Sequence, residues 1–162
     1  MKTINAVNDS YIGQIRVQYG SDMLIAPGVR IIIRDPAGRV LLIKHTATNK
    51  WEIPAGSVEP DESVLDAARR EVFDITGLSV GQLKPFAYYS DPVYQLECDT
   101  GEKVQQYIMA FITEDYSGEM LISTDEISDM GFYFLNCLPD IDDAHIETIH
   151  DLFRYQGAII LK

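Results

Sequence analysis

The chain has 162 residues, 46% of them hydrophobic and 23% charged, which is the balance of a folded water-soluble protein of one-domain size rather than a disordered or fibrous one. Its 25 acids against 13 bases give a formal charge of -12, which disfavours nucleic-acid polymers and anionic membranes as partners. Two cysteines, Cys98 and Cys137, are too few for a disulfide framework, and no stretch has the roughly 18 apolar residues of a membrane span or the apolar core of a secretory signal, so a cytoplasmic protein is expected.

Residues 1–25 mix polar and apolar positions, and Tyr11-Ile12-Gly13-Gln14-Ile15-Arg16-Val17-Gln18-Tyr19-Gly20 alternates well enough for a strand or a short lead-in element. After Pro27, Val29 to Asp35 is β-branched and runs into Asp35-Pro36-Ala37-Gly38, a tight-turn sequence, before Arg39 to His45 resumes as a second apolar run; this predicts a hairpin. Trp51 to Gly56 reads as a loop or short strand, limited by Pro54 and Gly56.

The next pattern is helical. Asp61 is the expected N-cap, Glu62 belongs to the first turn, and Gly77 suits the left-handed position past the end. On this helix Val64, Leu65, Ala68 and Val72 form an apolar stripe, with Ala67, Arg70, Glu71 and Asp74 on the adjacent sector. Leu78 to Tyr89 and Lys103 to Thr113 are expected to pair as strands across the polar segment Ser90 to Glu102. Gly131 to Leu135 is another strand candidate, and Ile146, Ile149, Leu152 and Phe153 predict a late amphipathic helix over 142–155. The order is α+β, strands around a central helix with a closing helix, in one domain over residues 1–162.

Glu71 and Asp74, three apart on a helix, are spaced to share a hard cation such as Mg²⁺. Around them lies a more specific register: Gly56, five residues, Glu62, seven residues, Arg70-Glu71-Val72, one position, Asp74-Ile75, then Gly77-Leu78. In this register the sequence resembles the Nudix (MutT-like) hydrolases, whose box reads G-x5-E-x7-R-E-U-x-E-E-x-G-U with U aliphatic. The resemblance covers most of residues 27–155, with the box as a loop-helix-loop over 56–78 and residues 1–25 outside it as a lead-in.

What the resemblance implies is an α/β/α sandwich with a central mixed sheet, and hydrolysis of the pyrophosphate linkage in a small nucleoside diphosphate derivative with Mg²⁺ or Mn²⁺ as cofactor. It implies metal ligation by Glu71, Asp74 and the backbone at Ala55 or Gly56, with Glu71 also a general base, Arg70 its orienting partner and Glu62 an outer acid. The chain departs from the box at Asp74-Ile75, where a shorter acid and an aliphatic residue replace two glutamates. An alternative therefore stands beside the enzyme: a Nudix-fold binding module with weak or no hydrolysis. Glu102, Asp125 and Glu126 are the acids available to compensate.

Elsewhere His45, His145 and His150 have no triad spacing and are expected to be surface or internally satisfied groups. Trp51, Phe86, Tyr88, Tyr89 and Tyr94 are expected to pack in or across strands, with base stacking the lesser use. The partner expected is a small phosphorylated substrate, and a homodimer is the prior for assembly.

Overall fold

In the computed structural model residues 10–97 and 101–162 are described, and Cys98 lies outside them. Strand β1 (Leu24–Ile33) is buried without interruption from Val29 to Ile33, a pattern that requires cover on both faces. It lies parallel to β8 (Lys103–Thr113) in unbroken register from Leu24↔Val104 to Ile33↔Thr113, and its other edge pairs antiparallel with β4 (Ala55–Ser57). Beyond β8 come β6 (Lys84–Tyr89) and β11 (Ile160–Leu161), so the sheet order is β11-β6-β8-β1-β4, with β7 (Gln95–Glu97) also on β8. A three-stranded sheet joins β10 (Ile127–Tyr133), β2 (Val40–His45) and β3 (Trp51–Glu52), and β5 (Ser79–Val80) pairs with β9 (Tyr116–Ser117).

The expected hairpin forms only its turn. Asp35 accepts hydrogen bonds from the backbone N–H of Ala37 and Arg39, and Gly38 takes the positive φ of 82° the turn needs, but only an Arg34↔Val40 bridge follows. β1 and β2 then diverge into different sheets, because each finds a longer partner far along the chain. The lead-in is also corrected: Tyr11–Tyr19 is helix α1, nucleated where Ser10 Oγ accepts from Gly13 N–H.

Helix α2 (Val64–Thr76) packs on one side of the sheet and α3 (Asp143–Arg154) on the other. The α+β sandwich with a mixed sheet between helices is thus present. Strand periodicity sorts β1 between them: Val29, Ile31 and Ile33 meet Ala67, Ala68 and Val72 of α2, whereas Ile32 joins Ile149, Phe86 and Tyr89 on the α3 side. Two details of α2 differ from expectation. Its N-cap is Ser63, whose Oγ accepts from Asp66 N–H, because Asp61 is held at φ 65° in the preceding turn and Glu62 lies before the helix. Its buried face is Ala67, Ala68, Val72 and Thr76, while Val64 and Leu65 are exposed; small residues let the helix approach the sheet closely. Among the described residues no helix is long and apolar enough to cross a membrane.

Candidate active site

The box residues converge on Arg70. Its guanidinium donates to Glu62 at 2.6 and 3.0 Å, to Glu71 at 2.9 Å and to the Ser57 carbonyl at 2.8 Å, tying the loop after β4 to the middle of α2. Glu62 also accepts the Glu59 backbone N–H at 2.7 Å, which closes the turn. The Arg70 hydrogen bonds hold the Glu62 carboxyl below its ordinary value, and Glu62 in return raises Arg70. The anionic form of Glu62 is therefore favoured, its oxygens accepting from Arg70 and from the Glu59 N–H.

Glu71 is placed differently. Its carboxylate lies against the backbone of β4 so closely that a Cβ at Gly56 would coincide with it. Burial pushes the Glu71 carboxyl up, with Arg70 pulling the other way and Asp74 adding to the rise. Asp74 is exposed and sits 3.9 Å from Arg70, while Ile75 is half-buried. Thus Gly56, Glu62, Arg70 and Glu71 are brought together, with Asp74 at the rim.

Glu102 faces Arg16 at 3.9 Å, and Asp125 and Glu126 offer their backbone carbonyls to Thr46. Among the described residues no group of three or more His, Cys, Asp or Glu side chains is arranged to hold a metal.

On the opposite face of β4 lies a cavity of about 190 Å³ lined by Gly28, Arg30, Gly56, Gln106 and His145 among others. Arg30 continues the β1 alternation toward α3, where its Nη1 donates to Thr148 Oγ1 at 3.0 Å and the Ala144 carbonyl at 3.2 Å, and its plane lies 5.5 Å from the Tyr89 ring. Burial lowers Arg30. His145 accepts the Ile53 N–H at Nδ1 (3.2 Å), so its proton sits on Nε2, 3.8 Å from Glu52. Burial pushes His145 down to about 3, and it is neutral. Burial likewise raises Glu52, opposed by His45 and Arg30.

His145 was expected at the surface or satisfied; it is buried with one nitrogen satisfied, whereas His150 is exposed. Arg30 and Glu52 had no motif to mark them. The available signal for Arg30 was a lone charge inside a β-branched run. Trp51, Phe86 and Tyr89 are core residues as expected, and Tyr88 points away from Tyr89 toward Tyr107. A larger groove of about 980 Å³, lined by Arg34, Lys84, Phe153 and Tyr155 among others, includes no box residue.

The NUDIX domain family model matches residues 24–152. A putative 8-oxo-dGTP diphosphatase of Bacillus subtilis (strain 168) is 31% identical over 70 residues, covering 43% of this chain and 47% of the relative. The NAD-capped RNA hydrolase NudC of Chromobacterium violaceum is 28% identical over 134 residues, 81% of this chain and 46% of the relative. The chain thus spans about half the length of these two curated relatives. Among solved structures, a MutT NUDIX hydrolase from Burkholderia pseudomallei superposes with a TM-score of 0.68 at 22% identity, covering 80% of this chain and 98% of that one. The NUDIX domain of Shewanella oneidensis NrtR, complexed with ADP ribose, gives 0.64 at 14% identity, covering 87% and 97%.

Proposed function

This chain belongs to the NUDIX domain family, and from that premise we propose that it is a metal-dependent pyrophosphohydrolase acting on a small nucleoside diphosphate derivative. The observation that carries the reading is the Glu71 carboxylate, half-buried, raised and seated in the cradle that Gly56 leaves by lacking a Cβ. A partly desolvated carboxylate beside open strand backbone fits a divalent cation, Mg²⁺ or Mn²⁺, completed by the carbonyl of Ala55 or Gly56, by Asp74 and by water. Such a cation, when bound, neutralises charge building on the pyrophosphate and acidifies an attacking water.

The chain's own residues do the positioning. Arg70 fixes Glu71 against β4, and Glu62 fixes Arg70, so the donor is held before substrate arrives. Glu71, raised by burial, is the group best suited to take a proton from water. The charge of -12 favours a small substrate over an extended polyanion, although a relative named RNA pyrophosphohydrolase is also similar, at 25% identity over 89 residues.

A second reading rests on Ile75, half-buried where the box carries an acid: a module that binds the nucleotide and hydrolyses it weakly or not at all. A panel of nucleoside diphosphate derivatives with Mg²⁺ and with Mn²⁺ decides between them, with hydrolysis to the nucleoside monophosphate and the phosphorylated second group read as inorganic phosphate freed from those products by a coupling phosphatase. Turnover by wild type that is lost in Glu71→Gln supports the enzyme. An inert wild type together with an active Ile75→Glu variant supports the binding module.

A further inference from the structure

Two buried polar residues, Arg30 and His145, line the cavity on the α3 face of β4. Each keeps N–H groups with no protein acceptor: Nε and Nη2 of Arg30 and Nε2 of His145 have no hydrogen bond within the described residues. Yet among the described residues Asp151 Oδ1 is the one fully buried side-chain oxygen or nitrogen without a hydrogen-bond partner. The free nitrogens of Arg30 and His145 are therefore not sealed in the core, and both residues line the cavity.

The cavity holds about 190 Å³, less than the roughly 300–1,000 Å³ of a whole-ligand pocket, so it has room for one part of a ligand. Gly56 lines it on one face and meets Glu71 on the other, at the free edge of the sheet. A ligand whose pyrophosphate lies at Glu71 can pass its next group around that edge. Resting on the hydrolase reading above, we propose that Arg30 and His145 form a specificity subsite that receives a carbonyl oxygen of a keto-bearing nucleobase attached to the pyrophosphate.

Charge selects a neutral acceptor over an anion. Glu52, Asp142 and Glu147 already oppose the Arg30 charge at longer range, so a phosphate would enter against three acids. Glu52 does not line the cavity itself but lies 3.8 Å from His145 Nε2, so an acceptor stands next to that donor; guanine and uracil match the pair with a carbonyl beside a ring N–H, whereas cytosine and adenine present an unprotonated ring nitrogen there.

The test compares guanosine and uridine with adenosine and cytidine diphosphate derivatives carrying the same second group. Two readouts are used on wild type, Arg30→Gln and His145→Gln: kcat/KM with Mg²⁺, and equilibrium binding in EDTA. Wild type is expected to prefer keto bases by about tenfold or more in both. Arg30→Gln should abolish the preference by lowering keto-base kcat/KM to the amino-base level, and His145→Gln, which can still accept the Ile53 N–H, should reduce it severalfold. Equal or reversed preference, a variant that weakens all substrates alike, or competition of keto-base binding by millimolar inorganic phosphate overturns the subsite. Absence of turnover with the binding preference intact sinks the hydrolase reading alone. Turnover without preference sinks the subsite alone. If Arg30→Gln does not fold, His145→Gln decides.

Discussion

Gly56→Ala separates the proposed chemistry from stability. Gly56 is a strand residue without left-handed backbone, so alanine meets no conformational barrier there and slightly favours the folded chain. Its methyl, however, would occupy the position of the Glu71 carboxylate. The cheapest relief is rotation of Glu71, which breaks its 2.9 Å bond from Arg70. A charge-assisted hydrogen bond contributes about 1.5–3 kcal/mol, but the Arg70 side chain is 34% exposed, which lowers the loss to about 1 kcal/mol. Arg70 also retains Glu62 and the Ser57 carbonyl.

The expected thermal shift is thus about 2–4 °C. Activity responds on another scale, since a donor misplaced by about 1 Å costs on the order of 10²-fold. The assay is kcat/KM across a Mg²⁺ titration beside the melting temperature. Turnover within about threefold of wild type would refute the role given to Glu71, and so would a melting loss large enough to account for the inactivity.

Other substitutions probe separate parts of the molecule. Ile75→Glu restores a carboxylate at the box position and should lower the Mg²⁺ concentration for half-maximal activity by roughly tenfold, with a melting loss of a few degrees because Ile75 is half-buried. His145 titrates near 3 folded and near 6.5 unfolded. Between those values the unfolded chain binds the extra proton, so stability from this group is complete above about pH 6.5 and falls toward pH 3 by up to about 1.4 kcal/mol per unit. Urea midpoints from pH 4.5 to 7 should show a shallower slope for His145→Gln. Asp151→Ala leaves Tyr89 and Lys162 without the buried carboxylate each contacts at 2.8 Å, and should cost about 3 kcal/mol of stability in denaturant melts.

What could be read from sequence follows the range of the interactions. The box sits in one segment whose spacing alone places Glu62, Arg70 and Glu71 together, and Gly77 marks the helix end by a local rule. Helix α1 escaped because Ile15, Val17 and Tyr19 alternate with Arg16 and Gln18 as a strand would, while its cap, Ser10, is a single weak signal. The turn at Asp35 is local and was legible, but strand partners are chosen by distant segments. Arg30 meets Thr148 at a separation of 118 residues, and no spacing rule reaches that far.

The same topology divides labour at β4. One edge strand carries Gly56, with Glu71 on its α2 side and Arg30 and His145 on its α3 side. Arg30 and Ile75 share no hydrogen-bond or ion-pair partner and belong to opposite layers, the arrangement in which free-energy effects add. Arg30→Gln and Ile75→Glu should therefore combine in ln(kcat/KM) to within about 0.5 kcal/mol on a keto-base substrate. The first acts through recognition of the base and the second through the metal requirement. A coupling well beyond that value, measured by the double-mutant cycle, would mean that β4 transmits displacement between its faces and that recognition and chemistry cannot be altered independently.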